Sequence, residues 1–247
     1  GHLREPPEPL YHYSGEIPPH VGERGTLAVN SILAASGRKI SRGYNKKYRR
    51  FDEQIAYWLK RMGLIHSFEI LPISKGRKEY EVRIRIAKES PEVLITDVGF
   101  GISQVLPVIV QSFYAPKNGV MFFEQPEIHL HPSVQSNLGD MFIEAIRARE
   151  KGVAKKNNQI IVESHSEHLI RRLQRRIAEG VVSADEVAIY FIEQKSSGAV
   201  LQRLVFDQWG RVTNWPRNFF GDDTGDLLEM SRAVQRRRKE KSTINGS

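Results

Sequence analysis

The residues best suited to chemistry stand together just after a short apolar run, 120–123. Two carboxylates and an amide come first, at Glu124, Gln125 and Glu127, and two histidines follow at His129 and His131. Mg²⁺ prefers carboxylates, waters and substrate phosphates, and a carboxylate can also orient or deprotonate an attacking water. Ligands of open α/β sheets bind outside the carboxyl ends of the strands, so this pattern predicts a site at a strand end. Two ligands fit it: a nucleotide with its metal, or a metal alone.

Two further segments carry polar residues after predicted strands. Residues 97–104 contain two glycines and lead into a helix. Glycine amides together with a helix amino terminus can cradle a phosphate, although an ordinary strand-to-helix turn looks the same. In residues 163–168, Ser164 and Glu167 have the spacing of a capping box. That predicts a helix with His165 in its first turn, at the edge of the sheet.

The elements that must position these segments follow from the hydrophobic pattern after residue 93. Apolar runs predict strands at 93–96, 119–124, 158–163 and 187–193. Helical periodicity predicts helices at 103–114, 133–150 and 166–179. This alternation is typical of an α/β fold with a mainly parallel sheet covered by helices. Because the carboxyl ends of parallel strands share one edge, the three polar segments are expected to converge there.

The segments before and after this region have different predicted secondary structure. The first twenty residues contain five prolines and predict an irregular opening. Helices are predicted at 24–35 and 51–62, a hairpin at 68–73 and 80–86, a late strand at 200–206, a last helix near 224–238 and a frayed tail at 239–247. The predicted organisation is therefore a helical and hairpin segment (1–90), the lobe with the site (91–194) and a carboxyl-terminal extension (195–247).

Charge and composition limit the partners and the location of the 247-residue chain. Its formal net charge of +8 favours acidic partners, above all nucleic acid. The basic residues cluster at 38–50, 171–176 and 236–239. The sequence has no cysteine, so any metal must use oxygen or imidazole ligands. Neither an apolar run of about 18 residues nor a secretory leader is present, and a cytoplasmic protein is expected.

With these residues in place, 93–192 resembles the carboxyl-terminal lobe of ATP-binding-cassette ATPases of the SMC, RecF and OLD type. Four motifs of that lobe occur in the same order: a signature loop (99–104), a Walker B strand (121–125), a D-loop (127–132) and a switch histidine (His165). Glu-Gln-Pro-Glu-x-His-Leu-His-Pro, together with Ser-His-Ser, is similar to bacterial RecF-like and OLD-like AAA proteins. Residues 210–221 resemble the ending of a subgroup that carries a carboxyl-terminal domain of unknown function.

The resemblance implies ATP and Mg²⁺ as cofactors. Glu124 would support Mg²⁺, His165 would sense the γ-phosphate, and Glu124, Gln125, Glu127 and His165 would form the catalytic group. The expected nucleotide contacts are Gly99, Phe100, Gly101, Ser103, Gln104, His131 and Ser164. ATP would join two heads as a homodimer or higher oligomer, with the segment 129–131 at the seam. Several such ATPases accompany nucleases in phage defence or DNA repair, so a nuclease or another effector subunit and DNA or RNA are candidate partners.

Three departures from the family pattern change these expectations. The usual catalytic glutamate falls on Gln125, which cannot act as a base at pH 7, so hydrolysis is expected to be slow or to rely on Glu127. The usual signature serine falls on Gly99. Walker A, Gly-x-x-x-x-Gly-Lys-Ser/Thr, does not occur in these residues. The chain is therefore expected to be a carboxyl-terminal piece that binds ATP poorly alone, with the Walker A lobe upstream or on another chain.

Two rival interpretations stay open. In the first, a metal-dependent hydrolase or nuclease holds Zn²⁺ or Mn²⁺ with His129, His131, Glu124 and Glu127, since His-x-His at a strand end fits imidazole ligation. In the second, the chain is a degenerate, non-catalytic ATPase-like scaffold, which Gln125 favours.

Overall fold

The helices and strands are known for most of the chain from a computed structural model, which describes residues 4–43, 45–153, 156–196, 198–216, 219 and 230–232. The helices are α1 (Ala28–Ala34), α2 (Phe51–Arg61), α3 (Phe100–Tyr114), α4 (Pro132–Arg147) and α5 (Glu167–Ala178). The strands are β1 (Tyr11–His12), β2 (Lys39–Ser41), β3 (Arg49–Arg50), β4 (Ser67–Pro72), β5 (Glu79–Arg85), β6 (Glu92–Leu94), β7 (Val120–Glu124), β8 (Arg149–Glu150), β9 (Gln159–Glu163), β10 (Ile189–Lys195) and β11 (Gly198–Leu204). Two compact units divide the chain, Gly1–Val182 and Ser183–Ser247.

The α/β fold class is confirmed, and the long elements lie close to their predicted positions. In α2, for example, Phe51, Ile55, Trp58 and Leu59 form one fully buried stripe. The Glu53 side chain accepts a hydrogen bond from the Arg50 N–H at the start of this helix. Gly63, with φ of +74°, follows its end. The helix predicted near 224–238 falls outside the described residues, except for 230–232, which are helical.

The sheets are less parallel than the alternation predicted. In the described residues only β7 and β9 pair in parallel. The predicted strand 93–96 is β6, which pairs antiparallel with β5, and the predicted strand 187–193 is β10, which pairs antiparallel with β11. The physical reason is connection length. A short turn joins β5 to β6 and another joins β10 to β11, whereas the helix α4 lies between β7 and β9 and provides the crossover that parallel pairing requires.

Helix α3 forms the centre of the larger unit. It is buried around most of its circumference and packs against α1, α2 and α4. The segment before α1 approaches it closely at Gly25, because a Cβ atom there would lie 2.5 Å from Pro107 Cγ. Gly25 also has a φ of +83°, which side chains rarely allow. Glycine is therefore required where this segment crosses the helix.

Two cations, the buried Lys156 and the half-buried Arg38, cap the carboxyl end of α3. Lys156 Nζ donates to Ala115 O (2.8 Å) and Phe113 O (3.2 Å), and Arg38 donates to Tyr114 O (3.2 Å). Both cations also pair with the Glu150 carboxylate, at 3.3 and 2.8 Å. Burial lowers the pKa of the Lys156 ammonium, and the charge of Arg38 adds to this, while Glu150 opposes it. These contacts tie the carboxyl end of α3 to Glu150 of β8 and to the residue just before β2.

Helices α4 and α5 are joined by one carboxylate. Asp140 is 4% exposed and accepts from Arg172 (2.6 Å), Arg176 (2.6 Å) and Arg61 of α2 (3.3 Å). Gly139 allows the Arg172 stem to lie close, since a Cβ atom there would be 3.2 Å from Arg172 Cγ. The basic cluster at 171–176 thus partly serves the packing of these helices.

The smaller unit contains the antiparallel hairpin of β10 and β11, with Ile189 opposite Leu204 and Lys195 opposite Gly198. A bridge between Phe206 and Val212 follows it. Across the described parts of both units, no helix combines the length and apolar character needed to cross a membrane.

Candidate functional site

The strands β7 and β9 end together at two carboxylates. Their parallel register places Glu124 beside Glu163, and Gln125 N–H donates to Glu163 O at 2.8 Å. Both glutamates are exposed on the face of the sheet that also carries Phe122 and Ile161. Sequence reasoning missed Glu163, although its position directly before Ser164 at a strand end was the available signal.

The chain turns sharply after β7. Gln125 (φ +41°) and His129 (φ +61°) both adopt left-handed backbone conformations, which few residues other than glycine occupy. Two short turns, from Ile128 N to Gln125 O (3.2 Å) and from Leu130 N to Glu127 O (3.1 Å), fold the loop back. As a result Glu127 lies inside the protein, 6% exposed, while the side chain of His129 is exposed.

Glu127 bridges the second and third predicted segments. Its Oε1 accepts hydrogen bonds from Ser164 Oγ (2.8 Å) and from the main-chain N–H of His165 (2.7 Å). Its Oε2 is buried and has no hydrogen-bond partner among the described residues. The His165 side chain is exposed, so the bridge holds the backbone at this position and leaves the imidazole accessible.

The expected capping box of Ser164 and Glu167 is wrong. Ser166 is the N-cap of α5, because its Oγ accepts from Leu169 N at 3.1 Å, and His165 lies before the helix rather than in its first turn. Ser164 instead accepts from Ser166 N (3.0 Å) and donates to Glu127. The Ser164 hydroxyl therefore links this segment to the loop after β7 and does not cap α5.

Helix α4 is likewise capped by a predicted site residue. His131 is its N-cap, and Nδ1 accepts from Ser133 N at 3.3 Å. Pro132 follows at the first helical position, where its missing N–H has no cost. The Nδ1 atom of His131 is therefore engaged, and the opposite ring nitrogen is the one available for a ligand.

The first segment packs against the second. A Cβ atom at Gly101 would lie 3.6 Å from His129 O and 3.7 Å from Leu130 Cδ2. The ring of the neighbouring Phe100 contacts the His129 ring edge to face, with centroids 5.2 Å apart. Gly99, the N-cap of α3, is exposed. The expected convergence of Gly101 with the loop after β7 is thus present, although α3 and not a parallel strand delivers it.

Ser103 and Gln104 point to local partners. Ser103 Oγ donates to Phe100 O at 2.7 Å. Gln104 is fully buried, and its amide forms a reciprocal pair with the backbone of Arg4: Oε1 accepts from Arg4 N (3.1 Å) and Nε2 donates to Arg4 O (3.3 Å). Their contacts with a nucleotide stay predictions. The amide of Gln104 already hydrogen-bonds the backbone of Arg4.

Arg4 joins the amino-terminal segment to the site, and sequence reasoning missed it. Its Nη2 donates to Glu124 O at 3.4 Å. Burial lowers the pKa of its guanidinium, and the negative charge of Glu127 partly offsets that. An arginine in an irregular, proline-rich opening gives no sequence signal for this role, because its partners lie 100 and 120 positions away.

The donor set at the rim suits Mg²⁺ better than a histidine-bound metal. Among the residues that the structure describes, no group of three or more His, Cys, Asp or Glu comes together to hold a metal. The proposed cluster of His129, His131, Glu124 and Glu127 is therefore not supported. Glu124 and Glu163 offer two carboxylates at one strand end, and Mg²⁺ commonly completes its coordination with waters and substrate phosphates.

Two family models match the sequence. The model of the AAA ATPase domain matches residues 30–170, more than half of the chain. A model of a protein of unknown function (DUF3696) matches residues 182–230. No curated protein matches.

Three solved structures have a similar arrangement, each with 12% sequence identity and a TM-score of 0.45. The first comes from work on ATP-driven dimerization and DNA-stimulated activation of SMC ATPases, and the match covers 74% of this chain and 91% of that one. The second is an Smc head with an extended coiled coil bound to the carboxyl-terminal domain of ScpA, from Pyrococcus furiosus, with 74% and 37% covered. The third is an Smc head bound to the winged-helix domain of ScpA, with 64% and 43% covered.

Proposed function

The chain belongs to the AAA ATPase domain family, and we propose that it is the carboxyl-terminal half of an ABC-type ATPase head. In this proposal it binds ATP and Mg²⁺ at the rim made by the amino end of α3 and the ends of β7 and β9. Hydrolysis takes place at a seam between two heads and is slow. The observation that carries the proposal is the Glu127 bridge to Ser164 and His165, together with the contact of Gly101 with His129.

In this assignment Glu124 supports the Mg²⁺ ion, with Glu163 beside it. When bound, the ion would neutralise the phosphate charge that develops during hydrolysis. Gly99, Phe100 and Gly101 offer exposed or partly exposed groups at the amino end of α3, where anions are favoured. The exposed imidazole of His165 would contact the γ-phosphate, and His131 and Ser164 would also contact the nucleotide.

Slow turnover follows from the residues available as a base. Gln125 carries an amide that does not accept a proton at pH 7. Glu127 is ionisable, but it is buried and its Oε1 already accepts two hydrogen bonds. It therefore serves mainly to position His165.

The exposed face of β7 and β9 is evidence for a separate lobe that supplies Walker A. Phe122 is 72% exposed and its neighbour Ile161 is 48% exposed. Parallel strands are almost always covered on both faces, whereas here one face of β7 and β9 is apolar and open. We assign this face to the Walker A lobe, located upstream or on another chain.

The family resemblance further suggests a homodimer or higher oligomer of heads that couples ATP to a nucleic-acid task such as phage defence or DNA repair, together with a nuclease or other effector subunit. The alternative is a scaffold that holds a partner without turnover, and the observation that favours it is the amide at Gln125.

ATP turnover by the assembly of this chain with its Walker A lobe tests the proposal. Slow Mg²⁺-dependent turnover is expected from the wild type, faster turnover from Gln125→Glu, and none from Glu124→Gln. Zero turnover in both the wild type and Gln125→Glu would support the scaffold instead. The isolated chain is expected to bind ATP weakly. Tight stoichiometric binding of ATP by the isolated chain would refute the proposal that a separate Walker A lobe completes the site.

A further inference from the structure

Two basic segments that are far apart in sequence meet in one small sheet. The strand β2 pairs antiparallel with β3 on one side and β8 on the other. Lys39 stands opposite Arg50 in the register, and Lys151 N–H donates to Lys39 O at 3.0 Å. All three side chains are exposed, while Ile40, on the other face of β2, is fully buried. A row of cations therefore crosses the outer face of this sheet.

The loop between β2 and β3 extends the row. The guanidinium groups of Arg42 and Arg49 lie over the Tyr57 ring of α2, at 4.0 and 4.6 Å from its centroid. These contacts anchor both ends of the loop to the protein. Between them Lys46 and Lys47 are exposed, and the ring of Tyr48 is 41% exposed. We call Lys39, Lys46, Lys47, Arg50, Lys151 and Tyr48 the basic sheet surface.

Neighbouring carboxylates do little to neutralise this surface. Asp52 pairs with Arg50 at 2.9 Å, and the Glu150 side chain is held by Arg38 and Lys156. Among the described residues, none of the four lysines of the surface makes an ion pair. Like charges opposite each other on neighbouring strands, about 4.8 Å apart, destabilise a sheet. A bound polyanion would remove this repulsion.

The other described basic cluster is arranged differently. On α5, Arg171 pairs with Glu167, Arg175 pairs with Glu179 at 2.6 Å, and Arg172 and Arg176 bind Asp140. Since carboxylates of the same protein already occupy these arginines, they are poorly suited to displace counterions from a phosphate chain. The basic sheet surface therefore offers exposed lysines that pair with no described carboxylate, whereas the arginines of the α5 cluster are paired.

We propose that the basic sheet surface binds the phosphate backbone of nucleic acid without sequence preference. Its lysines would release counterions from the phosphates, and the Tyr48 ring would stack on an unpaired base. The inference depends on the proposed function only for the choice of nucleic acid as the class of partner. The surface shares no residue with the ATP site, and its test requires neither ATP nor the Walker A lobe.

The test is fluorescence anisotropy of the full chain with labelled single-stranded DNA, double-stranded DNA and single-stranded RNA, from 0.05 to 0.3 M salt and without nucleotide. One variant carries Lys39→Gln, Lys46→Gln and Lys151→Gln. The matched control carries Lys75→Gln, Arg171→Gln and Arg175→Gln, all exposed in the structure. Each triple variant lowers the formal net charge of +8 by three, so the two are matched in total charge and remove it from different parts of the surface. Circular dichroism melting confirms that both are folded.

The wild type is expected to bind with a dissociation constant of about 1 to 100 µM at moderate salt, with a steep salt dependence. The first triple variant should bind more weakly, with a log-log salt slope shallower by about three, roughly one for each lost phosphate contact. The control should retain the wild-type affinity and slope. Tyr48→Ala should weaken binding to the single strands more than to the duplex.

Three results would overturn the proposal. One is equal weakening in both triple variants, which would reduce the effect to net charge. Another is the absence of wild-type binding to any of the three probes at 0.05 M salt and about 100 µM protein, the weak end of non-specific affinity. The last is binding to vesicles containing phosphatidylserine but to no nucleic acid, which would assign the surface to a membrane. None of these results depends on ATP turnover, so the proposed ATPase function could stand without this surface.

Discussion

The main-chain N–H of His165 donates to the buried carboxylate of Glu127 at 2.7 Å, although the two residues are 38 positions apart. The Ser164 hydroxyl donates to the same oxygen at 2.8 Å. One side chain thus fixes the loop after β9 to the loop after β7. The carboxylate that we predicted to act on a water molecule is thus also the link that holds these two loops together.

Removing this carboxylate should destabilise the fold. Glu127→Ala deletes an acceptor of two hydrogen bonds and leaves two donors without their partner, so we expect a loss of about 3 kcal/mol. Glu127→Gln keeps one acceptor oxygen and should cost less. Urea unfolding measures both, with Glu163→Gln as the exposed control, expected to change stability by about 0.5 kcal/mol or less. A Glu127→Ala variant as stable as this control would show that the bridge does not hold the loops.

The amide of Gln104 should matter for the amino-terminal segment. Gln104→Ala removes both hydrogen bonds to the Arg4 backbone, and a loss of about 2 kcal/mol is expected. Gln104→Glu should be worse, because it loses the donor and places a carboxylate against Arg4 O. Chemical denaturation gives the values, and Gln194→Ala in the smaller unit is an exposed control. Equal stability of the Ala and Glu variants would contradict the reciprocal pairing.

Asp140 should make stability depend on pH. Burial alone would raise its pKa, but hydrogen bonding to Arg176 and the charges of Arg172, Arg176 and Arg61 lower it below the ordinary 3.8. A depressed pKa contributes stability that is present above the ordinary pKa and is lost as pH falls through the folded-state value. Asp140→Asn should cost about 3 to 5 kcal/mol at pH 7, since the guanidinium groups lose their counter-charge.

Denaturation of wild type and Asp140→Asn at several pH values checks this prediction. Their difference in unfolding free energy should begin to shrink near pH 3.8, where the carboxylate of the unfolded chain takes up a proton, and should keep shrinking until the folded carboxylate is protonated at a lower pH. Asp185→Asn, on an exposed residue, serves as the control. A difference that stays constant down to the acid transition would mean that the Asp140 charge is not responsible.

Mg²⁺ should stabilise the chain weakly through Glu124. If 10 mM Mg²⁺ is about ten times the dissociation constant of the carboxylate pair, linkage predicts a gain of about 1.4 kcal/mol. Glu124→Gln should abolish the gain, and Glu89→Gln, in an exposed loop, should keep it. Thermal melts with Mg²⁺ and with EDTA supply the comparison. An equal Mg²⁺ effect in both variants would place the ion elsewhere.

Much of the fold follows from local pattern. The helical periodicity of 51–62 predicted α2, and the alternation of 68–73 and 80–86 predicted the hairpin of β4 and β5, because these signals lie within one element or two adjacent ones. The choice of strand partners does not follow from local pattern. The antiparallel pairing of β6 with β5 depends on a short connection, which the strand and helix rhythm does not encode. The α/β class was therefore predictable, and the extent of parallel pairing was not.

The site divides in the same way. Gly101, Glu124 and His165 were predicted as site residues because each follows a strand or begins a helix, and the structure brings their segments together. Arg4 was missed, and the cap of α5 was assigned to Ser164 instead of Ser166. Both errors concern partners supplied by distant parts of the chain, Gln104 and Glu124 for Arg4 and Glu127 for Ser164. The type and position of a reactive residue can be predicted from the neighbouring sequence. The distant side chains that position that residue cannot.

The open face of β7 and β9 has a practical consequence. Phe122 and Ile161 lie on the same surface as Glu124 and Glu163. An exposed apolar patch is therefore adjacent to the two carboxylates on β7 and β9. Purified alone, the polypeptide should tend to self-associate through this patch. Polar replacements that improve its solubility would also remove the contact by which a second lobe could reach the carboxylates.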